Sequence, residues 1–87
     1  MIRKRYLLGI EEMRELVFLY YFGVVGSKGV LKSLKKKKLI KKDGTLYSDG
    51  RKIASYLSSF SFRFGRMPLK AEFLVVGDIV AFRILKW

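Results

Sequence analysis

Several side chains that carry chemistry are missing. The chain has no cysteine and no histidine. Without cysteine there is no disulfide, no thiolate nucleophile and no Cys-ligated metal, which fits an intracellular, cytoplasmic protein. Without histidine the commonest general base and metal ligand is gone. Asparagine and glutamine are absent too. Together with abundant lysine, that is the bias of proteins from hot environments, and it suggests a thermophilic, archaeal source. No apolar run is long. Leu16 to Val25, broken only by Gly23, spans ten residues, whereas a membrane helix needs about 20. Glu11, Glu12, Arg14 and Glu15 interrupt the segment after Arg3-Lys4-Arg5, where a signal peptide would place its apolar region. A buried helix is expected instead, with no membrane association.

Acids are also scarce. Seven Asp and Glu face 19 Lys and Arg, for a formal net charge of +12 over 87 residues. The length fits one domain, residues 1–87. A hydrophobic content of 51% is ample for a core and argues against disorder. A packed body with a strongly basic exterior points to a polyanionic partner. Lys28 to Lys42 holds eight lysines and no acid, unlike the mixed-sign surface of a merely soluble protein.

The chain is organised around Ser27 to Ser59. Ser27 is a candidate N-cap. Val30, Leu31 and Leu34 then fall on one arc of a helix over 28–38, roughly opposite Lys28, Lys32, Lys35 and Lys36, at ~100° per residue. Leu39 and Ile40 begin a strand. Asp43-Gly44 reads as a two-residue hairpin turn that would set Lys42 opposite Thr45 and Ile40 opposite Tyr47. Asp49 is a second N-cap candidate, ahead of Ile53, Tyr56, Leu57 and Phe60 at helical spacing.

The stretch LKSLKKKKLIKKDGTLYSDGRKIASYL resembles the second half of small archaeal and bacterial winged-helix nucleic-acid-binding proteins. Leu31, Leu34 and Leu39-Ile40 form the helix end that leads into the wing. Tyr47-Ser48-Asp49-Gly50-Arg51 opens the helix that follows it. The resemblance covers about a third of the chain, residues 27–59. It implies a helix presented to nucleic acid, with the hairpin as a wing. Winged-helix domains place three helices before the wing, and there is no room for a middle one between Phe22 and Ser27. Either residues 2–8 supply a helix or the domain is a reduced variant.

Around this centre, residues 10–22 read as a helix with Glu11, Glu12 and Glu15 near the positive end of its dipole. Met13, Leu16, Val17 and Tyr20 form its stripe. Phe18, Leu19, Tyr21 and Phe22 make its later turns apolar all round, which predicts a central buried helix ended by Gly23 and Gly26. Residues 2–8 fit a strand or a first helical turn. Residues 59–64, SFSFRF, alternate strictly, which predicts a strand with Phe60, Phe62 and Phe64 on one face. Those aromatics beside Arg63 and Arg66 raise base stacking, although core packing is the plainer reading. Gly65 to Lys70 is a loop. Gly77-Asp78 reads as a hairpin turn pairing Val76 with Ile79, Val75 with Val80, Leu74 with Ala81, Phe73 with Phe82 and Glu72 with Arg83. Its other face (Leu74, Val76, Ile79) is apolar enough to pack on residues 2–8, the helices or a second protomer.

Catalysis is not expected. The aspartates sit at turns or caps, the early glutamates serve a helix dipole, and Glu72 faces Arg83. No Ser has a candidate base and no glycine motif cradles phosphate. No cofactor or metal is expected. The expectation is an α+β fold: a winged-helix-like helical core with a wing over 10–58, and a C-terminal antiparallel β-meander over 59–87. The chain would bind DNA, as a transcription or chromatin-type factor, through Lys28, Lys32, Lys35, Lys36, Lys41, Lys42, Arg51 and Lys52. Lysine is a flexible point charge suited to phosphate, so sequence preference would be weak. Two alternatives stay open. One is an RNA-binding ribonucleoprotein component, in which Arg3, Arg5, Arg63 and Arg66 also make contact. The other is a small accessory subunit of a nucleic-acid-processing complex, docked on a protein through its apolar sheet face and Trp87.

Overall fold

The computed structural model describes residues 3–23 and 28–87. The Ser27 cap and the Gly26 helix end lie outside the described residues. Alternation of apolar and charged side chains builds a three-stranded antiparallel sheet of β1 (Arg3–Gly9), β2 (Lys70–Val76) and β3 (Ile79–Lys86), in spatial order β1-β2-β3. The expected β2–β3 register is observed residue for residue, from Val76 against Ile79 to Glu72 against Arg83. A bulge at Lys70/Ala71 then leaves Leu85 as the extra residue on β3.

β1 takes the place expected for residues 59–64. Tyr6 pairs with Phe73 and Leu8 with Ala71, so residues 3–9 take the strand alternative and supply neither a helix nor a cover. The inner face carries the buried Tyr6, Leu8, Ala71, Phe73 and Val75. On the outer face Glu72 stands between two arginines, 3.8 Å from Arg5 and 3.4 Å from Arg83. Leu7, Ile79 and Leu85 are exposed.

Of the three helices, α1 (Ile10–Phe22) and α3 (Ser48–Phe64) pack on the sheet and on each other, and α2 (Lys28–Lys36) packs against α1. Met13, Leu16 and Leu19 of α1, Leu31 and Leu34 of α2, and Ile53, Ala54 and Leu57 of α3 join the sheet residues in one core. The expected α+β class is therefore observed, with different boundaries. Residues 59–64 are the last turns of α3 and not a strand. A helix places Phe60 and Phe64 on one face and sends Phe62 to the other side, at ~100° per residue. Phe62 is accordingly 91% exposed. The helix ends at Gly65, whose N–H donates to the Ser61 carbonyl. The division into a 10–58 core and a 59–87 meander fails for the same reason, because α3 crosses residue 59 and the third strand comes from the start of the chain.

α1 also differs from the expected buried helix. Only Met13, Leu16 and Leu19 are buried along it, while Phe18, Tyr21 and Phe22 are exposed. Two neighbouring helices and a small sheet cannot surround a helix on every side. Among the described residues, no helix is long and apolar enough to cross a membrane.

Between α2 and α3 the hairpin is one residue out of the expected register. Ile40 bridges Leu46, and the Lys41 N–H donates to the Thr45 carbonyl at 2.7 Å. The loop is thus Lys42-Asp43-Gly44, with a turn closed by the Gly44 N–H on the Lys41 carbonyl at 3.0 Å. Gly44 follows in the left-handed region at φ 90°, a three-residue loop that suits glycine at this position. Asp49 is not a cap. Tyr47 precedes the helix, and Asp49 lies in its first turn.

Candidate nucleic-acid interface

α2 is amphipathic because its leucines and lysines repeat at helical spacing. Leu31 and Leu34 are buried and Val30 is half-buried, while Lys28, Lys32, Lys35 and Lys36 are exposed on the opposite face. Among the described residues, none of these four lysines has an acidic partner, so the face is an uncompensated row of positive charge.

The next two lysines do something else. The Lys37 ammonium folds back onto Glu12, 2.8 and 2.7 Å from its two oxygens, and onto the Leu7 carbonyl at 2.7 Å. Ser33 adds a hydroxyl donor to Glu12 at 2.7 Å, and the Gly9 N–H donates at 3.2 Å. Burial pushes the Glu12 carboxyl up, but these donors outweigh it and hold the group below the ordinary carboxylate value. Lys38 turns the chain at φ 60°. Its N–H reaches the Lys35 carbonyl and that of Leu39 reaches Leu34, a Schellman closure of α2. Of the run Lys35 to Lys38, two lysines therefore point outward with α2, and two shape the exit from the helix.

Lys41 and Lys42 are exposed on the hairpin. The Lys41 ammonium stands 5.7 Å from the centre of the Tyr47 ring. Asp43, between these cations and Arg51, turns inward on its own loop and accepts from the Thr45 hydroxyl at 2.7 Å and the Thr45 N–H at 3.0 Å. Those bonds hold its carboxyl below the ordinary value. Arg51 is exposed and lines a cleft with Tyr20, Gly44 and Leu46. Folding thus gathers Lys41, Lys42 and Arg51 around one loop, directly after the α2 lysines. Lys52 does not join them. Its ammonium donates to the Gly77 carbonyl at 2.6 Å and lies 3.6 Å from Asp78, tying α3 to the β2–β3 turn.

A second surface was not assembled by the sequence reading. Tyr56, Phe60 and Phe64 follow one another at four-residue spacing along α3 and meet Phe82 and Trp87 of the sheet side. The signal lay in that spacing, which continues the period of Ile53 and Leu57 past Ser59. Arg66 lies over the Trp87 ring at 4.6 Å. Comparison with protein-family models, curated proteins and solved structures found no match for this chain.

Proposed function

We propose that the chain is a cytoplasmic, non-enzymatic DNA-binding protein of the transcription or chromatin type. It grips the phosphate backbone through Lys28, Lys32, Lys35 and Lys36 of α2, with Lys41, Lys42 and Arg51 around the adjoining hairpin. The observation that carries this reading is the row of exposed α2 lysines with no acidic partner among the described residues. Lysines held side by side repel one another, and a polyanion relieves that repulsion while releasing its condensed counterions. The order helix, hairpin, helix supports the winged-helix resemblance, with α2 as the presented helix and the hairpin as wing. Only lysine is offered on the exposed side of α2, because the Ser33 hydroxyl is taken by Glu12, so the mechanism is phosphate neutralisation with weak base selectivity. Lys52 is set apart from this surface by its tie to Gly77 and Asp78.

Lysine acetylation footprinting with and without duplex DNA tests the placement. Lys28, Lys32, Lys35, Lys36, Lys41 and Lys42 should be protected by the duplex, while Lys70 and Lys86 should not. Equal reactivity of all these lysines with and without DNA would remove the reading.

A further inference from the structure

Helical geometry regroups the aromatic rings of Ser59–Phe64, the segment whose alternation raised base stacking, and sets Phe62 apart from Phe60 and Phe64. Phe60 and Phe64 stand on one face of α3 with ring centres 4.5 Å apart. Phe60 also meets Phe82 at 5.1 Å and lies nearly parallel to Trp87, at 27° and 6.1 Å. A single ring in the middle thus supports Phe64, which is 61% exposed, and Trp87, which is 47% exposed. Together with Tyr56, Phe60 and Arg63, Phe64 lines an open cleft. Exposed aromatic rings gathered in this way mark a binding surface.

The rim identifies the occupant. Arg63 and Arg66 are both exposed, and among the described residues no acid lines the cleft. An apolar peptide would gain nothing from these cations. An unpaired nucleotide offers a flat ring for Phe64 and a phosphate for Arg63, and a base that displaces Arg66 from the Trp87 ring, over which it stands at 4.6 Å, frees that guanidinium for a phosphate as well. We propose that Phe64, Trp87, Arg63 and Arg66 form a stacking site for unpaired bases of single-stranded nucleic acid. The inference rests on nucleic acid being the partner, as proposed above, but it uses a surface that needs none of the α2 lysines. Duplex bases are already stacked on each other, so the site selects frayed ends, loops and single strands.

Trp87 is the sole tryptophan, so intrinsic emission reads the site directly. The probe is a labelled single-stranded oligo(dT) of about 12 nucleotides, within the span one small binding fold covers. Label anisotropy reports binding while Trp87 emission reports stacking. Oligo(dT) should quench Trp87 saturably, whereas inorganic polyphosphate and a blunt duplex should bind without quenching. Phe64→Ala, at an exposed position, should weaken oligo(dT) binding roughly 5- to 100-fold with duplex binding unchanged. Arg66→Ala should weaken it several-fold, and thermal melts confirm that both variants fold. Oligo(dT) binding with Trp87 emission unchanged would overturn the stacking site and leave the lysine reading standing. Quenching that persists when Lys32, Lys35 and Lys36 are all changed to Ala would keep the stacking site, and duplex binding unchanged in that variant would count against the lysine face. If neither polymer binds, both fall. Equal quenching by polyphosphate, or an emission shift with protein concentration alone, would also overturn the site, the latter in favour of a second copy covering it.

Discussion

The Tyr6 hydroxyl donates to an Asp49 carboxylate oxygen at 2.6 Å, joining β1 to the first turn of α3 across 43 residues. Burial first, and then the bond and charge of Asp49, raise the Tyr6 phenol well above its ordinary value of 10.0. A phenol raised on folding contributes stability that is complete below the unfolded value and is lost as pH rises above it. Tyr6→Phe should cost about 1 kcal/mol at neutral pH. It should also flatten the loss of stability above pH ~10. Urea unfolding of both proteins at neutral and alkaline pH checks each half.

Glu12 behaves in the opposite sense. Its carboxyl is held below the ordinary value of 4.5 in the folded chain. Its contribution is therefore present above that value and is lost as pH falls through the lower folded one. Glu12→Gln leaves the Lys37 ammonium without its counter-charge and should cost about 2 kcal/mol at neutral pH. The gap between parent and variant should close as pH falls below the ordinary carboxylate value and through the lower folded one. An acid titration of stability for the two proteins measures this, and a constant gap would contradict it.

Gly50 sits where α3 starts against the hairpin. A Cβ there would lie 2.2 Å from the Leu39 carbonyl oxygen, which already accepts the Tyr47 N–H at 3.0 Å. In an open helix Gly→Ala stabilises by up to ~1 kcal/mol. Here the backbone clash outweighs that gain, and Gly50→Ala should destabilise by about 1–3 kcal/mol. A rise in melting temperature would contradict the close approach.

Lys38 carries the reverse expectation. It holds φ 60° at the end of α2, a conformation that costs an L-residue ~1–2 kcal/mol. Glycine removes that cost but loses more freedom on folding. Lys38→Gly should therefore stabilise the protein by a net ~0.5–1 kcal/mol, read as a higher denaturant midpoint at unchanged slope.

Local signals made some of this legible in the sequence. The β2–β3 register follows from alternation on both sides of Gly77-Asp78, where a slip of one residue would bury Arg83 and expose Phe82. The burial of Leu31 and Leu34 against exposed Lys32 and Lys35 follows from the period of α2 alone. Ser59 to Phe64 misled because its alternation mimics a strand, while packing of Phe60 on Phe64 and Phe82 continues the helix. β1 and the Tyr6–Asp49 bond depend on partners more than 40 residues away, which no local window contains. The candidate site was legible as a composition of lysines. The outward Lys28, Lys32, Lys35 and Lys36 followed from the period of α2, whereas the diversion of Lys52 to the Gly77-Asp78 turn did not, because that partner lies 25 residues away.

The salt dependence of duplex binding tests the central claim most directly. The affinity of the parent and of a variant with Lys32, Lys35 and Lys36 changed to Ala would be measured across a series of salt concentrations. If these lysines neutralise phosphates, the logarithmic slope should become shallower by about 0.9 for each phosphate that the variant leaves unneutralised, close to three units in all. A variant that binds duplex DNA with the parent's affinity and slope would show that the α2 lysines are only a solvated face.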